Sequence, residues 1–169
     1  MKNIVYLVFL ISFSFAQGQN NKGISVNKHQ QQFWGTWSLV SVENISADGS
    51  KTTPYGEDPV GMLLFTKEGS YAIQILKANR SKVLANDKDK ATAEENAALV
   101  RGNNAHFGTY TVDENNQVIV FSIQHAFYPN WEGTTQVRTY SLKNNVLTYT
   151  VTTPTNGGAA VAKVVWRKN

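Results

Sequence analysis

Thr135-Gln136-Val137-Arg138-Thr139-Tyr140-Ser141-Leu142, then Lys143-Asn144-Asn145, then Val146-Leu147-Thr148-Tyr149-Thr150-Val151-Thr152-Thr153: two runs rich in β-branched and aromatic residues flank a short polar turn. Side chains in an extended run alternate between two faces, so each run reads as a strand, and the pair reads as a hairpin. In the first run one face carries Gln136, Arg138, Tyr140 and Leu142. Large polar groups therefore stand on the side that Tyr140 and Leu142 mark as core.

The same pattern extends outward from this hairpin. Towards the C terminus, Thr155 to Gly158 supplies a turn before a last run from Ala160 to Arg167. On the N-terminal side lie runs at Gly35–Glu43, Gly61–Thr66, Ser70–Leu76, Ala105–Val112 and Gln117–Ala126, with turns at Ala47-Asp48-Gly49, Lys67-Glu68-Gly69 and Asp113–Asn116. The counting makes eight strands in sequence, joined mostly by tight turns. One segment breaks the pattern: Thr92 stands three residues before Glu95, the spacing of a capping box, and Ala93–Val100 favours helix. One short helix, a candidate lid, is expected between the third and fourth strands. Consecutive antiparallel strands in this number close readily, which removes exposed edges and leaves room inside for side chains or one small ligand. The expected fold is all-β, an eight-stranded antiparallel up-and-down barrel over residues 33–169. A two-sheet sandwich is the structural alternative.

What precedes the first strand has a different composition. Lys2 is followed by an apolar run from Ile4 to Phe15 that ends in Ser14-Phe15-Ala16. A charged start, an apolar stretch and a small-x-Ala site make a cleavable secretory leader over residues 1–16, cut after Ala16. The run is too short for a helix of about 20 residues that crosses a bilayer, so no stable membrane insertion is expected. Residues 17–32, rich in Asn, Gln, Lys and Gly, read as a disordered polar tether. A secreted or periplasmic location follows as an expectation. The chain contains no cysteine, which excludes disulfides, thiolate metal sites and lipidation on an N-terminal cysteine. Its formal charge is +4, with Lys2 contributing one, and the basic residues are scattered. Nucleic acid recognition wants a basic stripe, which this distribution lacks.

Several motifs together resemble the lipocalin-like domain family of bacterial and fungal proteins. Gly35-Thr36-Trp37 resembles the Gly-x-Trp signature of lipocalins and their calycin relatives, and the likeness continues through Pro54-Tyr55-Gly56-Glu57-Asp58-Pro59-Val60-Gly61, His106-Phe107-Gly108-Thr109-Tyr110 and Phe127-Tyr128-Pro129-Asn130-Trp131-Glu132-Gly133-Thr134-Thr135-Gln136-Val137-Arg138. The resemblance implies an eight-stranded barrel around a small, largely apolar molecule and specifies no single reaction. It also implies that Trp37 plugs the closed end beneath an arginine from a late strand, a part open to Arg138 or Arg167. A guanidinium over an indole gains roughly 0.5–2 kcal/mol.

Candidate functional residues follow from which polar groups face inward. An inward Arg138 needs a carboxylate, carbonyl or anionic partner, because an unpaired buried guanidinium costs several kcal/mol. It is therefore a cap on Trp37 or a clamp on a ligand. The face of Ile119, Phe121 and Ile123 continues to His125, and His106 begins the neighbouring strand. Two histidines so placed are candidates for acid–base work near neutral pH, or are ordinary hydrogen-bonded histidines. His29 falls in the tether and no paired-histidine spacing occurs, so neither a metal nor another cofactor is expected. Glu57 and Asp58 are adjacent and diverge in an extended segment, which makes them a poor catalytic pair. The connection Phe127–Gly133 forms a rim or covers one end.

The leading expectation is an exported protein that encloses a small hydrophobic or amphipathic ligand, using Tyr71, His106, His125, Trp131, Gln136, Arg138 and Tyr149, with Trp37 and Arg167 as structural residues. One alternative is a barrel-enclosed isomerase or cyclase with His125 or His106 as the catalytic base. The other is an accessory protein of a secreted pathway with a fully packed barrel. Oligomeric state and ligand identity are not encoded in these patterns.

Overall fold

The computed structural model describes residues 30–155 and 160–169. The expected leader, residues 17–29 of the tether with His29, and residues 156–158 of the last turn lie outside them. The described chain runs β1 (Gly35–Ile45), β2 (Lys51–Thr52), β3 (Val60–Phe65), β4 (Ser70–Leu76), α1 (Ala93–Arg101), β5 (Asn103–Asp113), β6 (Val118–Ala126), β7 (Thr135–Lys143), β8 (Val146–Val151) and β9 (Val161–Lys168). Each of β3 to β9 pairs antiparallel with its sequence neighbour, and β1 pairs with both β3 and β9. That double pairing closes an eight-stranded antiparallel barrel. The strand beyond the expected eight is β2, two residues that pair with Asn44 and Ile45 at the rim. A sandwich is thereby excluded.

Local chemistry explains the connections. Lys143 to Val146 turns through Asn144 and Asn145 with φ of 50° and 62°, a left-handed conformation that asparagine tolerates and that suits a two-residue hairpin. The helix α1 starts with the full capping box: Thr92 Oγ1 accepts from the Glu95 amide at 3.1 Å, and Glu95 Oε2 accepts from the Thr92 amide at 2.9 Å. It lies between β4 and β5, the third and fourth strands of the barrel. Among the described residues no helix is long and apolar enough to cross a membrane.

One end of the barrel is filled. Gln30–Gln32, the last residues of the expected tether, form a 3-10 turn that delivers Phe33 into the interior, where it is fully buried. Trp37 Nε1 donates to the Phe33 carbonyl at 2.8 Å, and the Phe33 ring meets Phe65 and Tyr140 edge-on, with centroids 5.8 and 5.2 Å apart. Leu63, Ile119, Leu147 and Trp166 complete this fully buried floor. Burying each such side chain contributes about 1.5–3 kcal/mol. The cation over Trp37 is Lys168, whose Nζ lies 5.5 Å from the ring centroid and donates to the Gln32 carbonyl at 2.8 Å. This corrects the expectation for Arg138 or Arg167. Arg167 pairs with Ser38 on β1 and points outward, so the strand's alternation hands the position to its neighbour.

Two bulges re-aim side chains relative to simple alternation. Between Leu39 and Ser41 the register of β1 against β9 shifts by one residue. Trp37 and then Val42 and Asn44 all face inward as a result, where strict period-2 counting separates Val42 from Trp37. A second shift lies between Phe107 and Gly108, where Phe107 pairs with His125 but Gly108 with Ile123. The extra residue is Gln124. Gly108 makes room for it: a Cβ there would sit 2.1 Å from the Ser122 carbonyl oxygen.

Candidate ligand cavity

The second bulge decides which histidine reaches the interior. Ile119, Phe121 and Ile123 are buried, whereas His125 is thrown to the outer surface, its Nδ1 3.5 Å from Glu132 Oε1 and its ring beside Phe107. The expectation that His125 lines the lumen is therefore corrected. A single inserted residue moves everything beyond it to the opposite face. His106, by contrast, lies in the barrel wall with 8% of its surface exposed.

Above the aromatic floor the barrel holds a chamber of about 60 Å³. Arg138 and Gln136 reach it from β7, Tyr149 from β8, His106 and Asn104 from β5, and Trp131 from the turn after β6. Apolar walls come from Val42, Ile73, Ile75, Phe121 and Val164. A wider recess of about 200 Å³ shares Tyr55, Asn104, Trp131 and Thr155 with this chamber and adds Val100, Arg101, Phe127 and Tyr128. It is the mouth. The aromatic connection Phe127–Gly133 thus forms a rim, and α1 contributes Val100 to it.

The polar groups are organised around Arg138. Its Nη2 donates to Gln136 Oε1, two residues away on the same face. Tyr71 Oη and His106 Nδ1 share a 2.8 Å hydrogen bond, and the Trp131 and His106 rings meet edge-to-face with centroids 5.8 Å apart. Burial, reinforced by the Arg138 charge, pushes His106 down to about 4, so it is neutral at ordinary pH. Burial also raises the Tyr71 and Tyr149 phenols, with the Arg138 charge opposing in both cases. Burial lowers Arg138 too, yet a guanidinium stays a cation at any physiological pH. The chamber is therefore a neutral hydrogen-bonding wall around one fixed positive charge.

Of the residues expected from sequence, the structure brings together His106, Trp131, Gln136, Arg138 and Tyr149 on the chamber, with Tyr71 behind His106. Sequence reading missed Tyr55, Asn44 and Asn104. Tyr55 belongs to an irregular segment with no periodicity to assign it a face, yet it is 5% exposed and lines both spaces. Asn44 was hidden by the β1 bulge, and Asn104 lies just before the expected start of its strand. Among the described residues no group of three His, Asp or Glu is arranged to hold a metal ion.

Comparison with known proteins finds that residues 34–169 match a family described as lipocalin-like domain. No curated protein sequence matches the chain. Among solved structures, a redesigned β-barrel aligns at 12% identity over 82% of this chain and 93% of that one, with a TM-score of 0.41. A variant of the fluorescent protein UnaG aligns at 12% identity over 82% and 97%, with a TM-score of 0.37.

Proposed function

The chain belongs to the lipocalin-like domain family, and on that premise we propose that it is an exported binding protein that holds a small hydrophobic or amphipathic molecule at the open end of its barrel. The observation that carries the reading is the adjoining pair of spaces, a part-polar inner chamber and an aromatic mouth that share Tyr55, Asn104, Trp131 and Thr155. Pockets that combine apolar walls with a few convergent polar groups are the usual form of a small-molecule site. The inner chamber is smaller than the roughly 150 Å³ that takes up benzene in a protein interior. A bound molecule therefore places only a small group inside and its bulk in the mouth. The leader over residues 1–16 supports a secreted or periplasmic location.

An enzymatic reading has less to work with. His125 faces solvent, and His106 has been made a weak base by burial and by Arg138. Holding a ligand needs no proton transfer. The fully packed barrel fits the floor around Trp37 and Phe33 but not the spaces above Phe121.

Native mass spectrometry of the protein purified from its own host tests the proposal. The expected spectrum shows a chain beginning at Gln17 with a small molecule that dissociates on activation. An intact leader would overturn export. A spectrum free of adducts, together with no uptake from a host lipid and metabolite extract, would overturn the carrier reading.

A further inference from the structure

Arg138 is 8% exposed, and none of the residues that line its chamber is acidic. Its guanidinium is coupled electrostatically to the Tyr71 and Tyr149 phenols, which are neutral at ordinary pH, and among the described residues no Asp or Glu is paired with it. Its position is not required by Trp37, which Lys168 covers from the opposite end of the barrel. A buried cation without an acidic partner is costly, and the cost is offset when an anion completes the pair. The hydrogen bond from Nη2 to Gln136 holds one edge of the guanidinium. A planar guanidinium has five N–H donors arranged to grip a carboxylate.

We infer that the ligand of this cavity is a small apolar carboxylic acid bound head inward, its carboxylate against Arg138 in the inner chamber and its apolar body in the mouth between Val100, Phe127, Tyr128 and Trp131. The inference rests on the carrier reading above and names the ligand class of that same site. Volumes set the orientation: a carboxylate fits the chamber of about 60 Å³, and a ring or short chain fits the mouth of about 200 Å³. Charge sets the class, because the neutral wall around Arg138 contains nothing to offset a ligand ammonium. Tyr149 and the Tyr71–His106 pair stay uncharged beside the bound anion and do not repel it.

Calorimetric titration with 4-phenylbutyrate, 4-phenyl-1-butanol and acetate separates head from tail. The acid should bind at least about tenfold more tightly than the alcohol, the gain of one charge-assisted pair, and acetate alone should bind far more weakly than either. In Arg138→Met the preference for the acid disappears; in Arg138→Lys, which keeps the charge without the fork, part of it survives. Thermal melting checks that both variants fold. In spectra of the indole N–H groups, 4-phenylbutyrate should shift Trp131 and leave Trp37, bonded to the Phe33 carbonyl at the floor, in place. Equal affinity for acid and alcohol, or an acid preference that persists in Arg138→Met, would overturn the inference while leaving the carrier reading intact. Failure of both to bind at millimolar concentration would also overturn it, and the co-purified mass then judges the carrier reading separately.

Discussion

Tyr71 Oη on β4 and His106 Nδ1 on β5 are joined by a 2.8 Å hydrogen bond between two buried rings, and the register that places Ile73 opposite His106 sets the pair diagonally across neighbouring strands. The bond fixes the imidazole that packs edge-to-face with Trp131 at the chamber. Structure and site are coupled through it.

Removing the phenol hydroxyl leaves a buried ring nitrogen without its partner, which costs about 1–3 kcal/mol. Tyr71→Phe should lower the unfolding free energy by an amount in that range, read as a lower urea midpoint at unchanged slope. Tyr71→Phe with His106→Leu should cost less than the sum of the two single changes, because the second substitution removes the orphaned group. Strict additivity in the cycle would show that the contact contributes nothing.

Acid should destabilise the protein through the same histidine. In the folded chain burial holds His106 neutral down to about pH 4, while in the unfolded chain it takes up a proton near its ordinary 6.5. Between those values the unfolded state binds more protons, so stability falls as pH falls, by about 3 kcal/mol across the window. The contribution is present in full above pH 6.5 and exhausted near pH 4. His106→Gln should flatten the stability curve between pH 6.5 and 4 relative to the parent, as measured by urea unfolding at half-unit steps. Parallel curves would refute the assignment.

How far the sequence could be read depended on the kind of signal. Alternation in Thr135–Leu142 and Val146–Thr153 sufficed to place Arg138 and Tyr149 inside, because β7 and β8 run without a bulge. The capping box at Thr92 was legible because it is purely local. His125 was misplaced because alternation counts residues, and the extra Gln124 resets the count without any hydrophobic cue. The identity of the cation over Trp37 was equally hidden, since Arg167 and Lys168 are adjacent and their faces depend on the register of β9 against β1. Tyr55 carries no period at all, and only the closed barrel shows that its segment folds over the mouth.

The bulge itself can be tested at Gly108. A methyl group there would stand 2.1 Å from the Ser122 carbonyl oxygen and 2.9 Å from the Gln124 amide nitrogen, both backbone atoms that cannot rotate away. Overpacking typically costs about 1–3 kcal/mol, and more where backbone must move. Gly108→Ala should therefore lose at least about 3 kcal/mol or fail to fold. Gly133→Ala is the control: nothing lies within 4 Å of its added carbon, and the penalty comes from its φ of +72° alone, about 1 kcal/mol. If the two variants melt together, the register shift at Phe107/Gly108 is not a constraint on the fold.

The floor offers the complementary test, because two adjacent basic residues on β9 have opposite parts. Lys168 Nζ lies 5.5 Å from the Trp37 centroid and donates to the Gln32 carbonyl at 2.8 Å, tying the turn that delivers Phe33 to the last strand. A partly exposed cation–π contact contributes about 0.5–1 kcal/mol, and the hydrogen bond a similar amount. Lys168→Met keeps the aliphatic stem and should cost about 1–2 kcal/mol, with a change in Trp37 fluorescence. Arg167→Met points into solvent and should stay within about 0.5 kcal/mol of the parent. A larger loss at Arg167 than at Lys168 would return the cap on Trp37 to the arginine and would require β9 to pair with β1 one residue out of its observed register.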